Sequence, residues 1–310
     1  MTAHRYLCID IGGTKLCTGI SEGSAVQNIQ TVPVQKGIAP LLSQLQSIVQ
    51  EYKEITAILI GCPGNIRHGT IAPGSAQNLG TFPGEFDDFN LLQALQSSIP
   101  VHIFNDATAQ MAGGYALLRD TLPGVCSIGY IGPGTGLGGG FARIDDAGIH
   151  PVTDGHVFDI FLSRLGRERK ISKFNIPEYA IAEDLLSGRA FLAQTGHLAS
   201  DANKTTEQYH PLMLEWGHTL ALLIRTLRHG TLTKKPSSPP WSADDIAFVK
   251  TVSHYLIGGG LGTSHPFGDW MLRSARDLLA IWQIPVTLLP IPDTRMAGLL
   301  GLPLLLSSEV

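Results

Sequence analysis

The segment Asp10-Ile11-Gly12-Gly13-Thr14-Lys15 sets a carboxylate, a hydroxyl and an ammonium around a double glycine. Without a Cβ, glycine turns with positive φ and lets backbone N–H groups close on an anion, so Gly12, Gly13, Thr14 and Lys15 suit phosphate oxygens. Asp10, where the segment begins, is placed to orient a water or a Mg2+ ion. Two more glycine-rich stretches repeat the theme. In Gly132-Pro133-Gly134-Thr135-Gly136-Leu137-Gly138-Gly139-Gly140, the residues Gly134, Thr135 and Gly136 offer a hydroxyl and amides to β- and γ-phosphates. In Gly258-Gly259-Gly260-Leu261-Gly262-Thr263-Ser264 the leading three glycines offer bare backbone to a nucleotide. Phe104-Asn105-Asp106-Ala107 falls between the first two stretches. Asp106 there suits a general base, taking the proton of a substrate hydroxyl as it attacks a γ-phosphate, and Asn105 suits a hydrogen bond to a neighbouring hydroxyl. Together these residues describe nucleotide-dependent phosphoryl transfer to an alcohol.

The same residues have plainer uses. A Gly-Gly hairpin can simply end in a solvated lysine, and an Asn-Asp pair can cap a helix; capping and catalysis are compatible. Gly134, Gly136 and Gly139 also spell Gly-x-Gly-x-x-Gly, but a dinucleotide fingerprint opens a helix, whereas Gly140-Phe141-Ala142-Arg143-Ile144 reads on as a strand. The chain has no Gly-x-x-x-x-Gly-Lys-[Ser/Thr], which argues against a P-loop NTPase. His218 and His254 show no metal spacing. Cys8, Cys17, Cys62 and Cys126 form no Cys-x-x-Cys pair and read as reduced, structural thiols.

Strands and helices alternate in the pattern that must position these groups. Strands are expected over Tyr6–Ile11 and Lys15–Ile20 around the Gly12-Gly13-Thr14 turn, a helix over Pro40–Tyr52, and a strand over Ile55–Ile60 running into Gly61-Cys62-Pro63-Gly64. A helix over Leu91–Ile99, a strand over Val101–Phe104 and a helix over Ala107–Leu118 put Asn105 and Asp106 at a strand's carboxyl end. A second unit opens near Thr121 with strands Val125–Ile131 and Phe141–Ile144 flanking the long glycine loop, again as a hairpin. Helices follow over Ala180–Ala193 and Leu212–Arg228, an exposed loop over Gly230–Asp245, a strand over Val252–Ile257 and a helix over Asp269–Trp282. Such alternation means α/β layers.

With 310 residues, 44% of them hydrophobic, the chain is long enough for two cored domains. Its net charge of −4, from 22 basic and 26 acidic residues, carries no footprint for nucleic acid or an anionic membrane. A strand pattern begins by Tyr6, leaving no room for a signal peptide, and no apolar run approaches the ~18 residues of a membrane span. The expected location is the cytoplasm.

The order and spacing of these motifs resemble the ROK family of sugar kinases and the related bacterial glucokinases. The Asp-Ile-Gly-Gly-Thr-Lys hairpin, the Asn-Asp-Ala turn, the Gly-Thr-Gly-x-Gly-Gly-Gly loop and a later glycine motif near the adenosine occur in that family in this order. Gly61-Cys62-Pro63-Gly64 is similar to its Gly-x-Pro-Gly turn, and Glu183-Asp184-Leu185-Leu186-Ser187-Gly188 to its Glu-x-x-x-Ser-Gly helix. The resemblance runs from Tyr6 to about Leu302. It implies the actin-like, ribonuclease H-like ATPase fold, with mixed sheets flanked by helices and a cleft between two domains. These domains are expected over 1–118, with the tail 290–310 returned to it, and over 119–289. It further implies ATP and Mg2+, a hexose or hexose-like substrate, a homodimer, and sugar contacts from Gly61, Asn78, Asn105, Asp106, His156 and Glu183.

Two departures stand out. Where the family typically has Glu-x-Gly-His, this chain reads Thr153-Asp154-Gly155-His156, with Asp154 one place out of register. The Cys-x-Cys-Gly-x-x-Gly-Cys cluster of the zinc-bearing members is absent, with Ala180, Ile181 and Ala182 in front of Glu183, so no structural zinc is expected. The first departure bears on which sugar is accepted. It also leaves open a sugar-sensing or regulatory protein on the same fold; the family's regulators usually carry an N-terminal DNA-binding domain, and nothing precedes Tyr6 here.

Overall fold

The computed structural model describes residues 4–23, 25–153, 156–163, 174, 176–177, 179–199, 206–235 and 240–308. The chain divides into two compact units, one of 1–123 with 145–150 and 293–310, the other of 124–144 with 151–292. The breaks at Pro123/Gly124 and Pro292/Asp293 replace the expected 118/119 and 289/290. Arg119–Thr121 prolongs the preceding helix as a 3-10 turn, and Thr287–Pro290 is a strand of the second unit's sheet.

The first unit opens with β1 (Arg5–Ile11), β2 (Lys15–Glu22) and β3 (Ala25–Pro33). Next come α1 (Ile38–Glu51), β4 (Ala57–Cys62), a small hairpin of β5 (Ile66–Arg67) and β6 (Thr70–Ile71), then α2 (Leu91–Leu95), β7 (Val101–Asn105) and α3 (Asp106–Leu118). Its sheet runs β3-β2-β1-β4-β7: an antiparallel meander followed by two strands parallel to β1. Lying centrally, β1 and β4 are apolar on both faces, and Leu7, Ile9, Ile58 and Ile60 form a core with Leu41 and Leu45 of α1. The helix α2 stops four residues short of expectation because Gln96 takes a left-handed conformation, φ 47°.

The second unit carries β8 (Ser127–Pro133), β9 (Leu137–Asp145, its last residue counted with the first unit), β10 (Gly148–Thr153, its first half likewise), β11 (Phe161–Ser163) and β12 (Tyr179–Ile181). They are followed by α4 (Gly188–Thr195), α5 (His210–His229), α6 (Ala243–Val249), β13 (His254–Ile257), α7 (Phe267–Ile281) and β14 (Thr287–Pro290). The sheet order β10-β9-β8-β13-β14 repeats the first sheet's plan. Three expectations need correction. The long glycine loop shrinks to Gly134–Gly136, because Gly138–Gly140 pair with Ile131, Gly132 and Tyr130 inside β9. The helix expected over Ala180–Ala193 begins only at Gly188, since Tyr179–Ile181 pairs with Phe161–Ser163 as a strand and Ser187 caps the helix through the Ala190 amide at 3.1 Å. The loop expected to reach Asp245 ends earlier, where Ser242 and Asp245 form a reciprocal capping box that starts α6.

The final helix, α8 (Thr294–Ser308), returns to the first unit and crosses α3 at van der Waals distance. A Cβ on Gly113 would lie 1.9 Å from the Ala297 carbonyl oxygen, and one on Gly301 would lie 1.8 Å from that of Ala109, so the crossing requires glycine on both helices.

Candidate active site

In the first unit three neighbouring parallel strands end together. Asp10 on β1 lies opposite Gly61 on β4, and Gly61 and Cys62 lie opposite Phe104 and Asn105 on β7. Ligands of open α/β sheets bind at such carboxyl ends. Gly61 keeps the space clear: a Cβ there would stand 3.1 Å from Asp10 Oδ1 and 3.6 Å from the Asp106 Cα. The Asp10 carboxylate is only 6% exposed, and among the described residues its Oδ1 has no hydrogen-bond donor. Its Oδ2 accepts a long bond of 3.5 Å from Gln110 Nε2, and Gly298 of α8 packs against the same oxygen. Burial, then repulsion from the Asp106 carboxylate, push Asp10 up to about 8, with the Gln110 bond opposing. A buried carboxylate oxygen without a donor, disfavouring its own charge, fits a hard cation such as Mg2+.

Asp106 opens α3 and is half-buried, with Oδ1 accepting from the Ala107 amide at 2.8 Å. Burial raises it to about 6 against the pull of that amide. Asn105 caps α3 by accepting from the Thr108 amide at 2.9 Å, and its Nδ2 donates to the Gly64 carbonyl at 2.8 Å. The amide therefore orients both Asp106 and the Gly61–Gly64 turn. In the β1–β2 turn the Gly12 amide donates to the Lys15 carbonyl at 2.8 Å, while Thr14 and Lys15 are exposed. Gly13 and Asn78 share one partner, Lys36, whose ammonium donates to both carbonyls.

In the second unit the Gly134–Gly136 turn closes on itself, the Gly134 amide donating to the Gly136 carbonyl at 2.9 Å. The amino end of α4 locks it from outside: the Gly188 amide donates to the Gly134 carbonyl at 2.7 Å and the Arg189 amide to the Thr135 carbonyl at 3.4 Å. Glu183 lies against the same turn, with Oε1 3.3 Å from the Leu137 amide and 2.8 Å from Arg189 Nη2. A Cβ on Gly136 would meet that oxygen at 2.6 Å. At least one oxygen of Glu183 thus supports the turn. Gly258–Gly260 packs onto the end of β8: Cβ atoms on Gly258 and Gly259 would strike Tyr130 at 2.5 Å and the Pro133 carbonyl at 2.3 Å, whereas Gly260 faces open space. Glycine at 258 and 259 is explained by this packing without a ligand.

Thr153 ends β10 and His156 is half-buried, its ring 5.4 Å from that of Phe158. The Glu183 amide donates to the Phe158 carbonyl at 2.9 Å, so His156 and Glu183 hang on one short stretch of backbone. Asp154 and Gly155 lie outside the described residues. Among the described residues no three His, Cys, Asp or Glu side chains converge as metal ligands.

Three residues at these sites escape motif reading. Gln110 stands one turn after Asp106, a spacing that puts both on one face of α3 and was legible. Gly298 interrupts an apolar helix, where a glycine costing about 1 kcal/mol against alanine hints at a close approach. Lys36 carries no local signal.

No protein-family model matches the chain. An N-acetylmannosamine kinase of Vibrio cholerae serotype O1 is 30% identical over 286 residues, covering 91% of this chain and 93% of its own. The ROK hexokinase of Thermus thermophilus superposes with a TM-score of 0.62 at 22% identity, over 97% of each chain. A ROK family glucokinase from Streptomyces griseus, solved with glucose and AMPPNP, gives 0.60 at 19% identity, over 96% of this chain and 97% of that one. These structures share the fold, an actin-like ATPase architecture of mixed sheets flanked by helices.

Proposed function

The chain belongs to the ROK family of sugar kinases and is an ATP-dependent sugar kinase, and on that footing we propose that it phosphorylates a hexose-type acceptor that differs from glucose at C2. The observation that carries the mechanism is the strand-end trio of Asp10, Gly61 and Asp106. Asp106 is the general base. The Ala107 amide holds one of its oxygens, and the carboxylate accepts the hydroxyl proton as the acceptor attacks the γ-phosphorus and the bond to ADP breaks. Asp10 would hold Mg2+, directly or through water, and the ion when bound supplies positive charge to the β- and γ-phosphates.

Thr14, Lys15 and the amides of Gly12 and Gly13 are assigned to the triphosphate, as are Gly134, Thr135 and Gly136, with Gly258–Gly260 toward the nucleoside. Asn78, Asn105, His156 and Glu183 are assigned to acceptor hydroxyls, Asn105 through its second amide hydrogen. Thr153, uncharged and short where the family has Glu, and the N-acetylmannosamine kinase relative both support an acceptor altered at C2. Family resemblance also leads us to expect a homodimer in the cytoplasm. The test is sugar-dependent ADP release across N-acetylmannosamine, N-acetylglucosamine, mannose, fructose, allose and glucose with MgATP. Turnover highest on an N-acetylated or C2-inverted sugar is expected. Glucose as the best acceptor overturns the C2 reading, and no turnover on any sugar overturns the kinase.

A further inference from the structure

Lys36 lies between β3 and α1 in a stretch that belongs to no motif, yet that stretch is bonded on one side to the β1–β2 hairpin and on the other to the Asn78 turn. Toward the hairpin, the Val34 amide donates to the Thr14 carbonyl at 3.2 Å. Toward the turn, the Gly37 amide donates to the Leu79 carbonyl at 3.0 Å and the Ile38 amide to Glu85 Oε1 at 3.0 Å. The other Glu85 oxygen accepts from the Thr81 amide at 2.6 Å and the Thr81 hydroxyl at 2.9 Å. At the centre, the half-buried ammonium of Lys36 donates to the carbonyls of Gly13 and Asn78 at once. Gly37 makes the bend possible: its φ is 92°, and a Cβ there would come within 3.0 Å of Glu85 Oε1.

We infer that Lys36 is a positioning residue that couples the donor-phosphate hairpin to the acceptor turn, so that sugar and nucleotide strengthen each other's binding. The inference rests on the assignment of Gly12–Lys15 to phosphate and Asn78 to sugar made above. An ammonium has three donors and no acceptor, and partial burial lowers the pKa of Lys36, a cost to the charged form that bonds to the two carbonyls offset. Each loop keeps its own internal bonds without Lys36. What is lost with it is the side chain that grips both loops at once, leaving each tied to this stretch by backbone bonds alone, and a misplacement of about 1 Å between reacting groups costs about 10²-fold in rate.

The experiment titrates MgAMPPNP, which cannot transfer its terminal phosphate, into wild type, Lys36→Met and Lys36→Arg with and without the best acceptor from the screen, and measures kcat with MgATP. In wild type the sugar is expected to tighten analogue binding by about 5-fold or more. In Lys36→Met that factor should fall below about 2 and kcat should fall about 10- to 100-fold, with the sugar-free Kd changed less than about 3-fold. Lys36→Arg, still cationic with several donors, should keep the coupling. If Lys36→Met does not fold, Lys36→Gln replaces it with the same expectation. A residue that merely held the fold would lower Tm and leave the coupling factor alone. Coupling and kcat at wild-type values in the neutral variant overturn the proposal, as does a wild type that phosphorylates sugar with no coupling. A wild type that phosphorylates no sugar is seen before any variant is made and overturns the kinase reading and this one together.

Discussion

Gly298→Ala adds one methyl group about as near the chemistry as a helix residue can be without joining it. The new Cβ would stand 2.1 Å from Asp10 Oδ2, 2.6 Å from its Cγ and 3.2 Å from its Cβ. Unbonded carbon and oxygen rest at roughly 3.3 Å, so either α8 retreats or the carboxylate moves by about 1 Å. Retreat is opposed because α8 meets α3 through the backbone contacts at Gly113 and Gly301. The carboxylate therefore gives way, and the Gln110 bond, already 3.5 Å long, breaks. Alanine is also the better helix former by about 1 kcal/mol, which offsets part of the packing strain, so Tm should shift by only a few degrees. Activity should not be spared. A displacement of about 1 Å at the residue assigned to Mg2+ predicts a loss of about 10²-fold in kcat/KM, equivalent to about 2.7 kcal/mol, with a raised Mg2+ requirement. The assay is steady-state turnover of the best sugar across a Mg2+ series, with Asp10→Asn alongside. Wild-type turnover and Mg2+ dependence in Gly298→Ala would refute the placement of Asp10 in the mechanism.

Asp106→Asn keeps the Ala107 bond acceptor but removes the base, and turnover should drop by about 10²-fold or more while MgAMPPNP binding, measured by calorimetry, persists. Because burial raises Asp106 to about 6 and the base works as carboxylate, kcat/KM at saturating Mg2+, which would hold Asp10 ionised, should be level above that pH and fall about tenfold per pH unit below it; a profile flat to pH 5 refutes the assignment. Thr153→Glu should raise kcat/KM for glucose by about one to two orders of magnitude, since a charged hydrogen bond contributes about 1.5 to 3 kcal/mol, and no gain means that another residue sets the choice of sugar.

The sequence alone determined the parts that obey local rules. Repeating hairpins, buried strands and glycine turns are written in neighbouring residues, so the α/β layers, the Asp10–Lys15 hairpin and the Asn105-Asp106 strand end were legible. The Ser242-x-x-Asp245 box is an equally local signal, yet the polar stretch around it reads as loop through Asp245 and the start of α6 was missed. Element ends were less legible because they depend on partners: Tyr179–Ile181 is apolar enough for a helix and becomes a strand only because Phe161–Ser163 pairs with it. The site's electrostatics were decided wholly by tertiary structure. Asp10 and Asp106 lie far apart in sequence, and only the parallel register of β1, β4 and β7 sets their charges against each other where burial raises both. Gly298 reaches Asp10 because the end of the chain folds back across α3, and Lys36 finds Gly13 and Asn78 because one bend brings two turns within the reach of one side chain. Local pattern specifies what a residue is able to do; burial and long-range register decide its charge, its partners and its clearance, because desolvation and steric exclusion act through space and not along the chain.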